Sequence, residues 1–420
     1  MGDCHQNSIQ SGAVVRYNAV DTMKIARIET FILKVPLGPE QFWSSQTSFP
    51  RRKCLLVRVS TDAGIAGWGE GGQSGPAEPV ASHIHDVFAP MLLGADPCQP
   101  AVHWERMYAS TRDFGAKGST LEAISALDIA LWDIFGKARQ APVYELMGGA
   151  FRREVRTYAT GLYPHGEAPL TLERDLPQLR EEAARYRDAG FPAVKAKIGV
   201  FKPYEDIERI AAVREVLGGD ILLMVDANHA YTAHVACRVA QAMEPCDIYW
   251  FEEPVAPEDF DGYLQVKAST SIAIAGGEGE HTRYGFSRWI AQRAVDIVQP
   301  DTCCAGGLTE LRRIADMASA FHVHCMPHVW GGGVAIAAGL QMLATLAPSP
   351  HTVFPAPPYN EPMLEWDANR NPLRTDLLTT PVEPVDGRVP VPDGPGLGVK
   401  VNEETLSRYL TEARVSESGR

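Results

Sequence analysis

The chain has 420 residues, 45% hydrophobic and 22% charged, with 39 Lys plus Arg against 52 Asp plus Glu for a net charge of −13. A chain of this length and makeup buries a large core in two or three domains, which excludes a disordered chain, a collagen-like repeat and a small cysteine-stapled scaffold. The acidic balance and the lack of a basic run exclude nucleic acid as an expected partner.

Residues 1–22 lack a basic start followed by an apolar stretch, so they read as an N-terminal extension and not as a secretory signal. No apolar run of about 18 residues occurs, so no membrane span is expected. The eight cysteines form no C-x-x-C pair or framework spacing, which fits a reducing, cytoplasmic setting. From Met23, MKIARIETFILKV and then KCLLVRVST (53–61) alternate as strands, with DAGIAGWGEGG as turn residues. Between them lies the long segment 38–52 (GPEQFWSSQTSFPRR), with Trp43, Arg51 and Arg52. Long loops in compact domains often carry function. Residues 119–139 have helical spacing with small residues on one face. Residues 23–140 therefore read as an α+β domain.

From about Val155 the texture changes. VRTYAT (155–160), AVKAKIG (193–199), ILLMVDAN (221–228), IYWFEEP (248–254), IAIAGGE (272–278), VDIVQPD (295–301) and HVHCMPH (322–328) alternate with amphipathic stretches. That is the pattern of parallel strands with crossover helices. The polar residues ending six of these runs are Lys197, Asp226, Glu252, Glu278, Asp301 and His328, at intervals of 29, 26, 26, 23 and 27. A strand-plus-helix unit of a closed barrel takes roughly 30 residues. Chemically active residues at consecutive strand ends argue for one shared mouth, where an open sheet would use a single switch point. The barrel is assigned to 141–355. The Pro-rich remainder, 356–420, holds a last strand and a segment returning to the first domain.

Asp226, Glu252 and Glu278 end three consecutive strands. Any one alone would equally cap a helix or pair with a surface lysine. Three together need a cation, and hard oxygen donors suit Mg²⁺ better than zinc. Lys195 and Lys197, two apart, project to one face. Two buried ammoniums repel and lower each other's pKa, making one a usable base near neutral pH. Asp301 and His328 end adjacent strands, where a carboxylate orients an imidazole and raises its basicity. Three carboxylates with Mg²⁺ leave one negative charge, and a substrate carboxylate adds another. Removing the neighbouring proton adds a third, tolerable only beside cations. The reaction class is proton abstraction α to a carboxylate.

The motifs SALDIALWD (125–133), KAK (195–197), VDAN (225–228), WFEEP (250–254), GGE (276–278), QPD (299–301), MPH (326–328) and MLEWD (363–367) resemble the enolase superfamily, in its mandelate racemase / muconate lactonizing enzyme branch. The resemblance runs from about Met23 to beyond residue 400. It implies a modified (β/α)7β barrel under an α+β capping domain built from the N-terminal region and the C-terminal segment. It also implies Mg²⁺ on Asp226, Glu252 and Glu278. Lys197 is then one acid/base with Lys195 as its electrostatic partner, and His328 with Asp301 is the opposite one. Glu365 matches the acidic residue that hydrogen-bonds the substrate carboxylate, and Asn228 a substrate-contacting position. Gly279 departs from the Asn common in relatives.

Longer stretches such as VQPDTCCAGGLTE and MPHVWGGGVAIAAGLQ are most similar to D-galactarolactone cycloisomerases, which implies lactone opening by β-elimination to a 3-deoxy-2-keto acid. An acid-sugar dehydratase and a racemase or epimerase of a 2-hydroxy acid are the alternatives. Substrate contacts are expected from Trp43 and Trp330 as walls and from Arg51, Arg52 or His165 at a distal carboxylate. Cys303 and Cys304 read as packed thiols. The resemblance also implies a homo-oligomer, dimer or octamer.

Overall fold

The strand that alternation predicts from Met23 is the spine of the capping domain. The computed structural model describes residues 23–73, 75–350 and 361–419; the extension expected at 1–22 lies outside them. Here β1 (Ile25–Pro36) pairs antiparallel with β4 (Arg51–Thr61), and β4 with β5 (Ala66–Gly71). The free edge of β1 is taken by the last strand, β15 (Leu410–Glu417), so both ends of the described chain share one sheet. The 38–52 segment is not a plain loop: β2 (Phe42–Trp43) and β3 (Ser48–Phe49) form a small hairpin in it.

The helix Ser119–Arg139 lies on this sheet with nearly all of its first four turns buried. At Gly69 in β5 a methyl group would overlap the Ala126 carbonyl, so only glycine lets the helix come this close. The same helix grips the barrel. Ser125, Asp128 and Trp132 sit on one helical face, three and four residues apart. Ser125 Oγ accepts from Gly306 N at 2.9 Å, Asp128 from Thr309 N at 2.9 Å and Thr309 Oγ1 at 2.6 Å, and Trp132 Nε1 donates to Thr309 Oγ1 at 2.8 Å. These bonds seat the start of the barrel helix Gly307–Ala320, just after Asp301.

The barrel strands are β6 (Glu154–Gly161), β7 (Ala193–Lys197), β8 (Leu222–Asp226), β9 (Ile248–Glu252), β10 (Ala273–Gly276), β11 (Ile297–Val298), β12 (His324–Cys325) and β13 (Leu364–Asp367). They pair in parallel in the order β13-β6-β7-β8-β9-β10-β11-β12. Each of the first seven is followed by a helix, from Leu172–Asp188 to Gly333–Thr345, so the fold is the expected (β/α)7β barrel. Among the described residues no backbone ladder joins β12 to β13. The ring closes there through side chains, with Glu365 Oε2 at 3.5 Å from Val329 N and 3.6 Å from His328 Nε2. A short β14 (Arg388–Pro390) runs antiparallel to the start of β6.

Each barrel strand or its immediate flank sends one side chain into a buried floor: Tyr158, Ala193, Met224, Trp250, Ala275, Ile297, Met326 and Met363. All are at most 3% exposed. The floor is a packed layer, as barrel interiors require. No described helix is long and apolar enough to cross a membrane.

Candidate active site

Side chains two residues apart on a strand share a face. Two residues beyond each floor position therefore stand Thr160, Lys195, Asp226, Glu252, Gly277, Gln299, His328 and Glu365. An apolar layer is thus followed at once by a polar one, facing the mouth. Lys197, Asp226 and Glu252 are level across β7, β8 and β9. Glu278, Asp301 and His328 lie two or three residues past their short strands.

Asp226, Glu252 and Glu278 offer one carboxylate oxygen each, all within 4.8 Å of one another. Glu252 Oε2 is fixed by Trp250 Nε1 and Gln299 Nε2, both at 2.8 Å. Lys195, 0% exposed, lies 2.6 Å from Glu252, 2.9 Å from Glu365 and 3.7 Å from Asp226. Lys197 donates to Asp226 and, at 2.9 Å, to Asn228 Oδ1. As carboxylates, Asp226, Glu252, Glu278 and Glu365 outweigh the two ammoniums by two charges, the charge of one divalent cation. Glu278 Oε2 is buried without a hydrogen bond. All-oxygen donors and the charge balance together fit Mg²⁺, and Glu278 Oε2 faces only a longer contact, His328 Nε2 at 3.4 Å. Burial and the neighbouring carboxylates raise Glu253 well above the usual carboxylate range, and the same causes raise Glu252 to about 7 against the pull of Lys195.

The lysines titrate opposite to the sequence expectation. Burial does push both down, but the carboxylates prevail: Glu252 and Glu365 raise Lys195 well above its ordinary value, and Asp226 raises Lys197. The Lys–Lys repulsion is the smaller effect: at Lys197 the pull of Asp226 outweighs the push of Lys195. Asp226 is correspondingly held low by Lys197 and Lys195 against the upward push of burial. His328 Nδ1 meets Asp301 Oδ2 at 2.6 Å, while Nε2 is 3.4 Å from Glu278. Burial disfavours its charge, but Glu278, Glu365 and Asp301 lift its pKa to about 10. Glu365, 1% exposed, also accepts from Thr160 Oγ1 at 2.6 Å.

A cavity of about 640 Å³ opens over this layer, lined by Lys197, Asn228, Glu278, His328 and Glu365 on the barrel side. Lys34, Arg51, Lys53, Gln73 and residues 46–50 line it from the capping side. Ser45 Oγ ties the capping loop to the Ala227 and Asn228 carbonyls at 2.7 and 2.8 Å. Phe49, Tyr163 and Trp330 form an aromatic wall, with Phe49 and Trp330 rings 5.0 Å apart.

The structure brings Asn228, Trp330 and Arg51 to the cavity, but not Trp43 or His165. Trp43 Nε1 donates to Gly166 O at 2.8 Å, and His165 Nε2 lies 3.5 Å from Glu182. Trp43 fastens the capping loop to the 161–168 stretch and His165 turns to the helix Leu172–Asp188, and neither lines the cavity. Arg52 lines the cavity but is occupied, 2.8 Å from Asp367 and stacked 4.9 Å over Trp330. Cys304 also reaches the wall, 3.9 Å from Gln73 Nε2. Lys53 and Gln73 went unnoticed in the sequence, while Tyr163 lies in GLYPHGEA (161–168), a stretch expected to set specificity, and Gln299 in the QPD motif, neither singled out as a residue. The alternation signal was available for Gln299, two residues after Ile297, and none was available for the others.

Two family models match the chain: the mandelate racemase / muconate lactonizing enzyme N-terminal domain over 27–148, and the enolase C-terminal domain-like model over 178–405. The chain is 42% identical over 387 residues to the D-galactarolactone cycloisomerase of Agrobacterium fabrum, covering 92% of this chain and 99% of that one. It is 35% identical to the arabinonate dehydratase of Saccharolobus solfataricus, over 84% of this chain and 90% of the relative. The structure of the 3,6-anhydro-D-galactonate cycloisomerase from Zobellia galactanivorans matches with a TM-score of 0.80 at 39% identity, over 93% of this chain and 100% of that one. A racemase from Streptomyces coelicolor with bound magnesium matches with a TM-score of 0.80 at 30% identity, over 92% and 100%.

Proposed function

The chain belongs to the mandelate racemase / muconate lactonizing enzyme branch of the enolase superfamily, among cycloisomerases and dehydratases of acid sugars, and from that premise we propose that it opens a sugar-acid lactone, D-galactarolactone or a close analogue, by β-elimination. The carrying observation is that Lys197 and His328, two proton carriers from different sides of the barrel, share one cavity with Glu278, whose carboxylate lies within 4.8 Å of those of Asp226 and Glu252.

In this reading Asp226, Glu252 and Glu278 hold Mg²⁺, and Glu365 hydrogen-bonds the substrate carboxylate. A divalent cation there supplies the positive charge that steadies the second negative charge of an enediolate and weakens Asp226's grip on the Lys197 proton. Lys195, pinned by Glu252 and Glu365, stays protonated as a fixed positive charge. One of Lys197 and His328 takes the proton α to the carboxylate. The bond from the β-carbon to the ring oxygen then breaks, and the lactone leaves as a carboxylate needing no proton. The resulting enol takes up a proton at the β-carbon and gives up its hydroxyl proton, to become the 3-deoxy-2-keto acid.

Arg51 and Lys53 on the capping side suit a carboxylate at the far end of the substrate, where lactone opening releases one. The 35% identity to a dehydratase makes acid-sugar dehydration the second reading, since it begins with the same proton abstraction; a racemase is the third. The reading includes a cytoplasmic setting, in keeping with none of the seven described cysteines lying in a disulfide. It also includes a homo-oligomer, dimer or octamer, which light scattering measures. The functional test is to incubate lactones and open-chain aldarates and aldonates with enzyme and Mg²⁺ and follow keto acid as its semicarbazone. Lactone consumption is expected; consumption of open-chain acids alone would overturn the cycloisomerase assignment.

A further inference from the structure

We propose that Gln73 of the capping domain is a positioning residue for His328, acting through Asp301, so that this side of the site is set only while the capping domain is seated. The inference rests on His328 being a proton carrier, as proposed above. Gln73 lies just beyond β5 and is 5% exposed. Its Nε2 donates to Asp301 Oδ2 at 2.8 Å, the same oxygen that meets His328 Nδ1 at 2.6 Å. The other oxygen, Oδ1, accepts from Cys303 N at 2.6 Å. A carboxylate only accepts, so the amide must turn its nitrogen toward Asp301. Asp301 thus has three donors, one of them from the other domain.

That arrangement does two things. It fixes the carboxylate's rotation and so the plane of the imidazole, and it holds His328 Nε2 turned toward the mouth. The contact is a built one. Glu70, three residues earlier, accepts from Gly332 N at 2.5 Å and Ala335 N at 2.9 Å, clamping the turn that follows His328. A side chain at Gly331 would put its Cβ 2.5 Å from Gln73 Oε1 and 2.8 Å from Glu70 Oε1, so the turn approaches this closely only as glycine. Gln73 Oε1 itself is buried with no hydrogen-bond partner among the described residues. The amide's contacts are made by its nitrogen, to Asp301 Oδ2 and, at 3.9 Å, to Cys304 Sγ.

The test uses the full chain with Mg²⁺ and D-galactarolactone. Gln73→Met keeps the length and removes the donor. We expect kcat to fall about tenfold or more with KM within about twofold, and Gln73→Met to change kcat less than about twofold once Asp301→Asn is present, because coupled residues are non-additive. Equal losses in both backgrounds, or a raised KM with unchanged kcat, would overturn the proposal. The downfield proton resonance of the His328 Nδ1–H should move in Gln73→Met, and an unmoved resonance counts against it. Should Gln73→Met not fold, Gln73→Glu sets a like charge against Asp301 and should cost at least as much kcat; wild-type kcat there would overturn the idea. If His328→Asn keeps full turnover, the functional reading falls and this inference with it. If His328→Asn abolishes turnover while the Gln73 variants do not, only the inference falls.

Discussion

Lys195→Met tests the charge balance beneath the mouth. The ammonium is 0% exposed and sits 2.6 Å from Glu252 and 2.9 Å from Glu365, with Asp226 at 3.7 Å. Methionine has nearly the same shape and no charge. Removing one partner of a buried ion pair costs about 3–5 kcal/mol, because the other charge stays buried without compensation. Unfolding entropy is about 2.1 cal/mol/K per residue, or roughly 0.9 kcal/mol/K for a chain of this size melting as one unit. The melting temperature in chelator should therefore fall by about 4–5 °C. A divalent cation replaces part of the lost positive charge, so millimolar magnesium should raise the variant's melting temperature more than that of wild type. Differential scanning calorimetry of both proteins, with chelator and with magnesium, measures the two effects. An unchanged melting temperature in chelator, or an equal magnesium response, would refute the reasoning that these carboxylates depend on Lys195.

Glu278→Gln keeps the shape of the third presumptive ligand and removes its charge; magnesium affinity by titration calorimetry should drop at least about tenfold, and an unchanged affinity would exclude Glu278 as a ligand. His85, bonded to Thr30 and Ser416 in the capping domain, has its pKa pushed from 6.5 down to about 4, first by burial and then by Arg414. The folded chain binds that proton less tightly than the unfolded one, so His85's contribution is complete above pH 6.5 and is lost as pH falls toward 4. His85→Gln should flatten the decline of melting temperature across that window, and an unaltered slope would contradict it. Gly69→Ala drives a methyl into the Ala126 carbonyl and should cost about 3 kcal/mol or more, read as loss of soluble protein or a sharply lower denaturant midpoint; a wild-type midpoint would mean the helix shifts freely.

The barrel was legible because its signal is local and repeated. Each buried parallel strand is a short apolar run ending in one polar residue, and the run-to-run interval is set by a strand plus a helix. Asp226, Glu252, Glu278 and the lysine pair could be picked out on that basis alone. Glu365 and Asn228 needed the family resemblance, since nothing in MLEWD or VDAN by itself separates a site residue from a surface one. Arg51 reaches the cavity as expected, but other side chains whose orientation depends on distant segments did not follow the sequence reading. Trp43 and His165 have the right chemistry for a pocket wall, but their orientation is decided by which chain segment crosses the capping loop. Gln73 lies in a turn whose partner is more than two hundred residues away. The lysine titration was misjudged for a related reason: two neighbours were counted along the strand, while the stronger ones stand on β8, β9 and β13.

The floor of Tyr158, Met224, Trp250 and their neighbours has an implication for what the enzyme keeps out. With that end of the barrel filled by buried side chains, an intermediate formed above it in the proposed reaction would be shielded from stray protonation from behind. Which hydrogen returns, and to which side of the carbon, is then left to the side chains around the mouth. Stereochemical fidelity would depend on residues that never meet the substrate.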